Sequence, residues 1–84
     1  MKKILYFSAA WCGPCRMLAP RMEKLSGEGK INYQKIDVDS DTELSVKYGV
    51  RNIPTLILVD ENGEAQGRKV GVLPEQQIID FYNG

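Results

Sequence analysis

Two short segments with almost no polar residues, residues 4–7 and 55–59, constrain the fold of this chain more than any other feature. A strand that does not alternate apolar and polar residues has both faces buried, which is typical of central strands in a sheet covered by helices. Residues 13–26 lie between the two segments and show the apolar spacing of a helix. The sequence therefore predicts an α/β fold with these segments at the centre of its sheet.

The rest of the chain divides into short elements. A strand–helix–strand unit in the first half predicts a parallel pair of strands with a right-handed crossover. The Asn62-Gly63 turn predicts an antiparallel hairpin in the second half. We expect one domain, residues 1–84, with a four-stranded mixed sheet flanked by three helices in the order βαβαββα. The predicted elements are the strand Lys3–Ser8, the helix 13–26, the strand 30–38, a short helix opened by the capping box 40–43, the strands Thr55–Val59 and Ala65–Val70, and a helix that begins at Pro74.

Composition argues against several kinds of partner. Lysine plus arginine and aspartate plus glutamate number 11 each, so the net charge is zero and nothing favours nucleic acid or an anionic membrane. No apolar run approaches the roughly 18 residues of a membrane helix. Lys2 and Lys3 followed by residues 4–10 imitate a signal peptide, but cleavage after Ala10 would remove a core strand. We expect a cytoplasmic monomer.

The only two cysteines, Cys12 and Cys15, lie between the first predicted strand and the first predicted helix. This context is typical of a dithiol/disulfide redox motif. Unpaired backbone N–H groups and the helix dipole stabilise a thiolate at a helix start. Cys15 shares one helical stripe with Leu18, Met22 and Leu25, so we expect it to point inward while Cys12 stays accessible. This asymmetry predicts that Cys12 is the nucleophile and Cys15 the resolving cysteine.

Two other roles for the cysteine pair are less favourable. A structural disulfide across so small a loop removes little entropy from the unfolded chain. Structural zinc requires four ligands, and with two cysteines and no histidine the site would need carboxylates or a second chain. We therefore expect no metal site.

Residues 11–15, Trp-Cys-Gly-Pro-Cys, form the active-site signature of thioredoxins, and the chain resembles that family along almost its full length. Ile53-Pro54-Thr55 and Val70-Gly71 fall where a thioredoxin has its cis-proline loop and its last groove glycine. The resemblance implies a minimal thioredoxin fold, without the leading strand and helix of typical members. It also implies the sheet order second, first, third, fourth strand, with the first and last helices on one face.

The same resemblance implies a substrate groove around the cysteines. Trp11 would be partly exposed and contact the substrate, and Pro54 would be cis. The backbone of Ile53 would pair with an extended substrate strand. Gly71 would complete the groove by allowing close backbone approach without a Cβ. The remaining members of this uncharged docking surface are Gly13 and Pro14.

The activity implied is that of a protein-disulfide reductase with no bound cofactor, whose redox centre is the Cys12–Cys15 disulfide. An NADPH-dependent flavoprotein thioredoxin reductase would supply electrons, and disulfide-containing proteins such as ribonucleotide reductase would be the substrates. Two alternatives stay open: a glutaredoxin-like protein fed by glutathione, and a redox-silent thioredoxin-like interaction subunit. Gly-Pro between the cysteines favours thioredoxin over glutaredoxin, where Pro-Tyr is more common.

Two positions depart from the family pattern. Tyr6 stands where thioredoxins usually carry a buried aspartate that assists proton transfer, and a phenol with a pKa of about 10 is a poor base near neutrality. Lys35 matches the lysine that accompanies this aspartate, and strand alternation with Tyr33 would turn it inward. We expect Lys35 or an ordered water to relay the proton, with Tyr6 as a hydrogen-bonding neighbour. Asn52 replaces a common glycine.

Overall fold

The computed structural model describes residues 1–84 and has the predicted order of elements. Its elements are β1 (Lys3–Ser8), α1 (Gly13–Gly27), β2 (Tyr33–Asp37), α2 (Thr42–Lys47), β3 (Thr55–Val59), β4 (Ala65–Val70) and α3 (Glu75–Asn83). None of the three helices has the length and apolar character needed to cross a membrane.

The four strands form one mixed sheet in the order β2-β1-β3-β4. β1 pairs in parallel with β2, whereas the β1–β3 and β3–β4 pairs are antiparallel. The central strands β1 and β3 are the apolar segments of the sequence, and all of their residues except Lys3 are buried. The predicted fold class and strand order are therefore confirmed.

Alternation along the central strands divides the core between the two faces of the sheet. One buried cluster joins α1 and α3 to the sheet, and a second lies on the α2 face. The first cluster contains Ile4, Tyr6, Leu18, Met22, Leu25, Ile31, Leu56, Leu58 and Ile78. The second contains Leu5, Phe7, Ile36, Ile57 and Val59, with Leu44 and Tyr48 packed against it. The first and last helices thus share a face, as expected.

The second strand begins at Tyr33 rather than at residue 30. The reason is the end of α1, where Gly29 adopts a φ of 73°. Its N–H donates to the Ser26 carbonyl, and the Lys30 N–H donates to the Leu25 carbonyl. This pattern of bonds is a Schellman motif, which needs a left-handed residue that glycine supplies. The chain therefore still completes the helix end at Lys30 and joins the sheet later.

The short helix α2 begins one residue later than its capping-box pattern predicts. Asp41, not Ser40, is the N-cap, and its carboxylate accepts the Leu44 N–H at 3.1 Å. At the other end, Gly49 has a φ of 63°. The Arg68 guanidinium donates to the carbonyl oxygens of Tyr48 and Gly49. One side chain of β4 thus binds the carbonyl end of α2, where backbone acceptors lack helical partners.

Candidate active site

Cys12 and Cys15 form a disulfide at the point where the chain leaves β1 and starts α1. Cys12 is the N-cap residue of the helix, and its Sγ accepts a hydrogen bond from the Cys15 N–H at 3.2 Å. The first turn of α1 carries no acidic side chain that would oppose a negative charge there. Because helix N-termini stabilise anions, this position favours a thiolate on Cys12 once the disulfide is reduced.

The expected difference in exposure between the cysteines is wrong for the disulfide form. Cys12 is 4% exposed and Cys15 is 3% exposed. They share a small apolar cluster with Ala9, and Val38 and Ile53 pack against it. The sulfur atoms are bonded to each other under this apolar cover, so neither faces water freely. What distinguishes Cys12 is its place at the helix start rather than its accessibility.

Trp11 is 67% exposed, which confirms the expected exposure beside the disulfide. Its Nε1 donates to the Asp39 carboxylate at 2.8 Å, and the Asp39 N–H donates to the Asp37 carboxylate. The indole is therefore held by the loop after β2 while its ring faces solvent. Gly13 and Pro14, the first residues of α1, are exposed on the same segment.

The Ile53–Pro54 peptide bond is cis, as the family resemblance implied. Pro54 is fully buried, and its carbonyl oxygen accepts the Gly71 N–H at 2.9 Å. Thr55 Oγ1 donates to the Asn52 carbonyl. The fold thus brings Ile53 against the disulfide cluster and ties the cis-proline loop to the end of β4.

Gly71 has a conformational requirement in addition to its expected place in the groove, which stays a prediction. A Cβ at this position would meet no atom within 4 Å, so close backbone approach does not explain the glycine in the free protein. Its φ of 101° does, because side chains of L-residues rarely tolerate that conformation.

Tyr6 lies directly under the redox pair. It is 1% exposed, and its hydroxyl donates to the Cys15 carbonyl oxygen at 2.7 Å. The phenol is thus a hydrogen-bonding neighbour of the Cys15 backbone in the disulfide form, and a part in proton relay stays a prediction. Burial raises the pKa of the Tyr6 phenol, so it keeps its proton near neutrality and does not act as a base there.

The expectation that Lys35 turns inward is wrong. Lys35 pairs with Tyr6 in the strand register, but β2 is an edge strand and the lysine side chain is exposed. Its ammonium group stays in water because burial without a partner would be costly. A proton relay through Lys35 stays a prediction. The exposure of the lysine side chain favours the alternative, in which water accepts the Cys15 proton.

Sequence reasoning missed Asp39, the partner of Trp11. The signal was present: Asp37 is the last residue of the second strand, and Asp39 and Asp41 follow it. The carboxyl ends of parallel strands meet at one edge of a sheet, so the residues after β2 lie beside the segment after β1.

The site holds no pocket for a small molecule. The two cavities of about 550 Å³ are lined by other residues, and neither includes Cys12, Cys15 or Trp11. Cysteine and acidic side chains do not gather in any group of three that could hold a metal ion.

Comparisons with known proteins agree with this geometry. The family model described as Thioredoxin matches residues 1–83. The thioredoxin of Haemophilus influenzae is 43% identical over 82 residues, which cover 95% of this chain and 76% of that protein. The thioredoxin of Rickettsia bellii is 42% identical over 79 residues, covering 92% of this chain and 74% of the relative.

Among solved structures, a mutant thioredoxin of Halobacterium salinarum NRC-1 superposes with a TM-score of 0.88 at 39% identity. The match covers 98% of this chain and 72% of that one. The fold, the disulfide at the helix start and these similarities lead to one conclusion. The chain belongs to the thioredoxin family and is a thiol-disulfide oxidoreductase whose redox-active group is the Cys12–Cys15 disulfide.

Proposed function

We propose that this protein is a protein-disulfide reductase in which Cys12 is the nucleophile and Cys15 the resolving cysteine. The observation that carries the proposal is the place of Cys12 at the N-cap of α1, with its Sγ accepting the Cys15 N–H. Cys15 lies inside the helix, on its buried stripe. Only Cys12 therefore has the stabilised thiolate that starts disulfide exchange.

The reaction proceeds through two exchanges. The Cys12 thiolate attacks one sulfur of a partner disulfide, which breaks that bond, forms a mixed disulfide and releases one partner thiolate. The Cys15 thiolate then attacks the Cys12 sulfur, which forms the Cys12–Cys15 disulfide and releases the second partner thiolate. Two electrons pass to the partner. The Cys15 proton goes to water, with a relay through Lys35 as the alternative route.

The substrate is proposed to dock as an extended strand across Trp11, Ile53, Pro54 and Gly71, with Gly13 and Pro14 at the edge of this groove. Support comes from the exposed indole and from the contact of Ile53 with the disulfide cluster. Binding through main-chain groups at an uncharged surface suits substrates of varied sequence.

The proposed electron donor is an NADPH-dependent flavoprotein thioredoxin reductase, and the proposed substrates are disulfide-containing proteins such as ribonucleotide reductase. We place this cycle in the cytoplasm and propose that the chain acts as a monomeric domain of residues 1–84, without nucleic-acid or membrane partners. The bacterial thioredoxins among its relatives support this reductase cycle.

Reduction of a disulfide-bonded model protein, with thioredoxin reductase or with glutathione as the electron source, tests the proposal. Turnover should depend on the reductase. The Cys12→Ser variant should be inactive, and the Cys15→Ser variant should accumulate a mixed disulfide through Cys12. Turnover with glutathione alone would instead indicate a glutaredoxin-like protein. Biological function retained by the double serine variant would indicate a redox-silent subunit.

A further inference from the structure

The Tyr6 hydroxyl links the centre of the sheet to the backbone of the resolving cysteine. Tyr6 belongs to β1, Cys15 is the third residue of α1, and the O–H donates to the Cys15 carbonyl at 2.7 Å. With the tyrosine 1% exposed, no bulk water can replace this bond. A helical carbonyl oxygen has two lone pairs, so it can accept the phenol in addition to a helical N–H.

We infer that Tyr6 is a positioning residue for the resolving step, an inference that rests on the proposed roles of Cys12 and Cys15. The hydrogen bond fixes the first turn of α1 against β1 at Cys15. It thereby holds the Cys15 thiol within reach of the mixed disulfide on Cys12. Attack within one molecule depends strongly on such orientation. Cys12 precedes the helix as its N-cap, so its own attack on a substrate does not use this attachment.

The rates of the two exchanges can be measured separately with a disulfide probe that has a coloured leaving group. Dithiobisnitrobenzoate is an aromatic disulfide that releases a coloured thiolate each time its sulfur is displaced. Mixed with an equal amount of reduced protein, it should release one equivalent as Cys12 forms the mixed disulfide. A second equivalent follows as Cys15 displaces the aromatic group and the protein disulfide forms.

Tyr6→Phe keeps the buried ring and removes only the hydroxyl. It should slow the second phase about fivefold, the factor that corresponds to the net value of one hydrogen bond, and change the first phase less than about twofold. Tyr33→Phe is the matched control. Its ring lies 6.2 Å from that of Tyr6, and its hydroxyl makes no hydrogen bond in the structure. This control should leave both phases at the wild-type rate.

The ratio of the two rates is the decisive readout, because a purely structural bond would lower stability without changing it. Trp11 fluorescence in urea should show that both variants are folded at the assay condition. Equal slowing of the two phases, or no change in either, would overturn the role of Tyr6 and leave the proposed function intact. Release of no coloured thiolate by the reduced wild-type protein would overturn the proposed function, and this inference with it.

Discussion

Gly71→Ala isolates the cost of one backbone conformation next to the active site. Gly71 has a φ of 101°, and an added Cβ would meet no atom within 4 Å, so steric contact contributes nothing to the cost. Holding an L-residue in such a sparsely populated region costs about 1–3 kcal/mol. The chain has 84 residues, and a domain of this size has a free energy of unfolding of roughly 4–13 kcal/mol. The variant should therefore fold with a clearly reduced stability.

Urea unfolding of the oxidised protein, followed by the fluorescence of its only tryptophan, measures this change. With a denaturant slope of about 1 kcal/mol per molar urea for a small domain, the midpoint should fall by about 1–3 M. Gly13→Ala is the matched control, because Gly13 also has open space for a Cβ but no positive φ. The control should stay within about 0.5 kcal/mol of wild type, or gain slightly. An equal midpoint for Gly71→Ala and wild type would refute the conformational explanation.

Three further properties of the protein can be measured: its stability at high pH, the attachment of the end of α2, and the route of the Cys15 proton. Burial is the largest cause of the raised pKa values of Tyr6 and Tyr33, so the unfolded phenols lose their protons first. Their contribution to stability should be complete below about pH 10 and lost above it; a flat urea midpoint from about pH 8 to 11 in the oxidised protein would contradict this. Arg68→Met removes two hydrogen bonds to the end of α2 and should cost about 1 kcal/mol, with faster hydrogen exchange at the Val50 amide; unchanged exchange there would show that the arginine does not hold the helix end. Lys35→Met should leave the rate of thiol-disulfide exchange within about twofold of wild type between about pH 6 and 9, because the lysine is exposed; a slower variant would support a proton relay through Lys35.

The order of elements was predictable because its signals are local. The central strands lack polar residues, and the helix after Cys12 repeats its apolar positions at helical spacing. The redox motif was equally visible, since both cysteines lie on one short segment. The family resemblance, and not the residue pattern, indicated the cis peptide bond before Pro54, because most bonds before proline are trans.

What the sequence did not predict depends on contacts between distant segments. Cys12 is buried because Ala9 and Ile53 cover the disulfide, and Ile53 comes from a loop 41 positions later in the chain, residue 53 against residue 12. Lys35 shares a strand face with Tyr33, which predicts an inward side chain. Whether a side chain on that face is buried depends on which neighbouring element packs over it, and this cannot be read from the strand alone. Gly71 has its positive φ at the end of β4, where its N–H donates to the Pro54 carbonyl, and no local pattern shows this contact between distant segments.

The exposure of Lys35 has a consequence for the behaviour of the protein in solution. The sheet is open at both sides, along β2 and along β4, and an open strand offers unpaired backbone groups to any other chain. Lys35 lies exposed on the first edge, and Arg68 and Lys69 lie exposed on the second. Positive side chains at both edges disfavour edge-to-edge pairing with a second copy, so we expect a concentrated solution of the protein to resist strand-mediated aggregation.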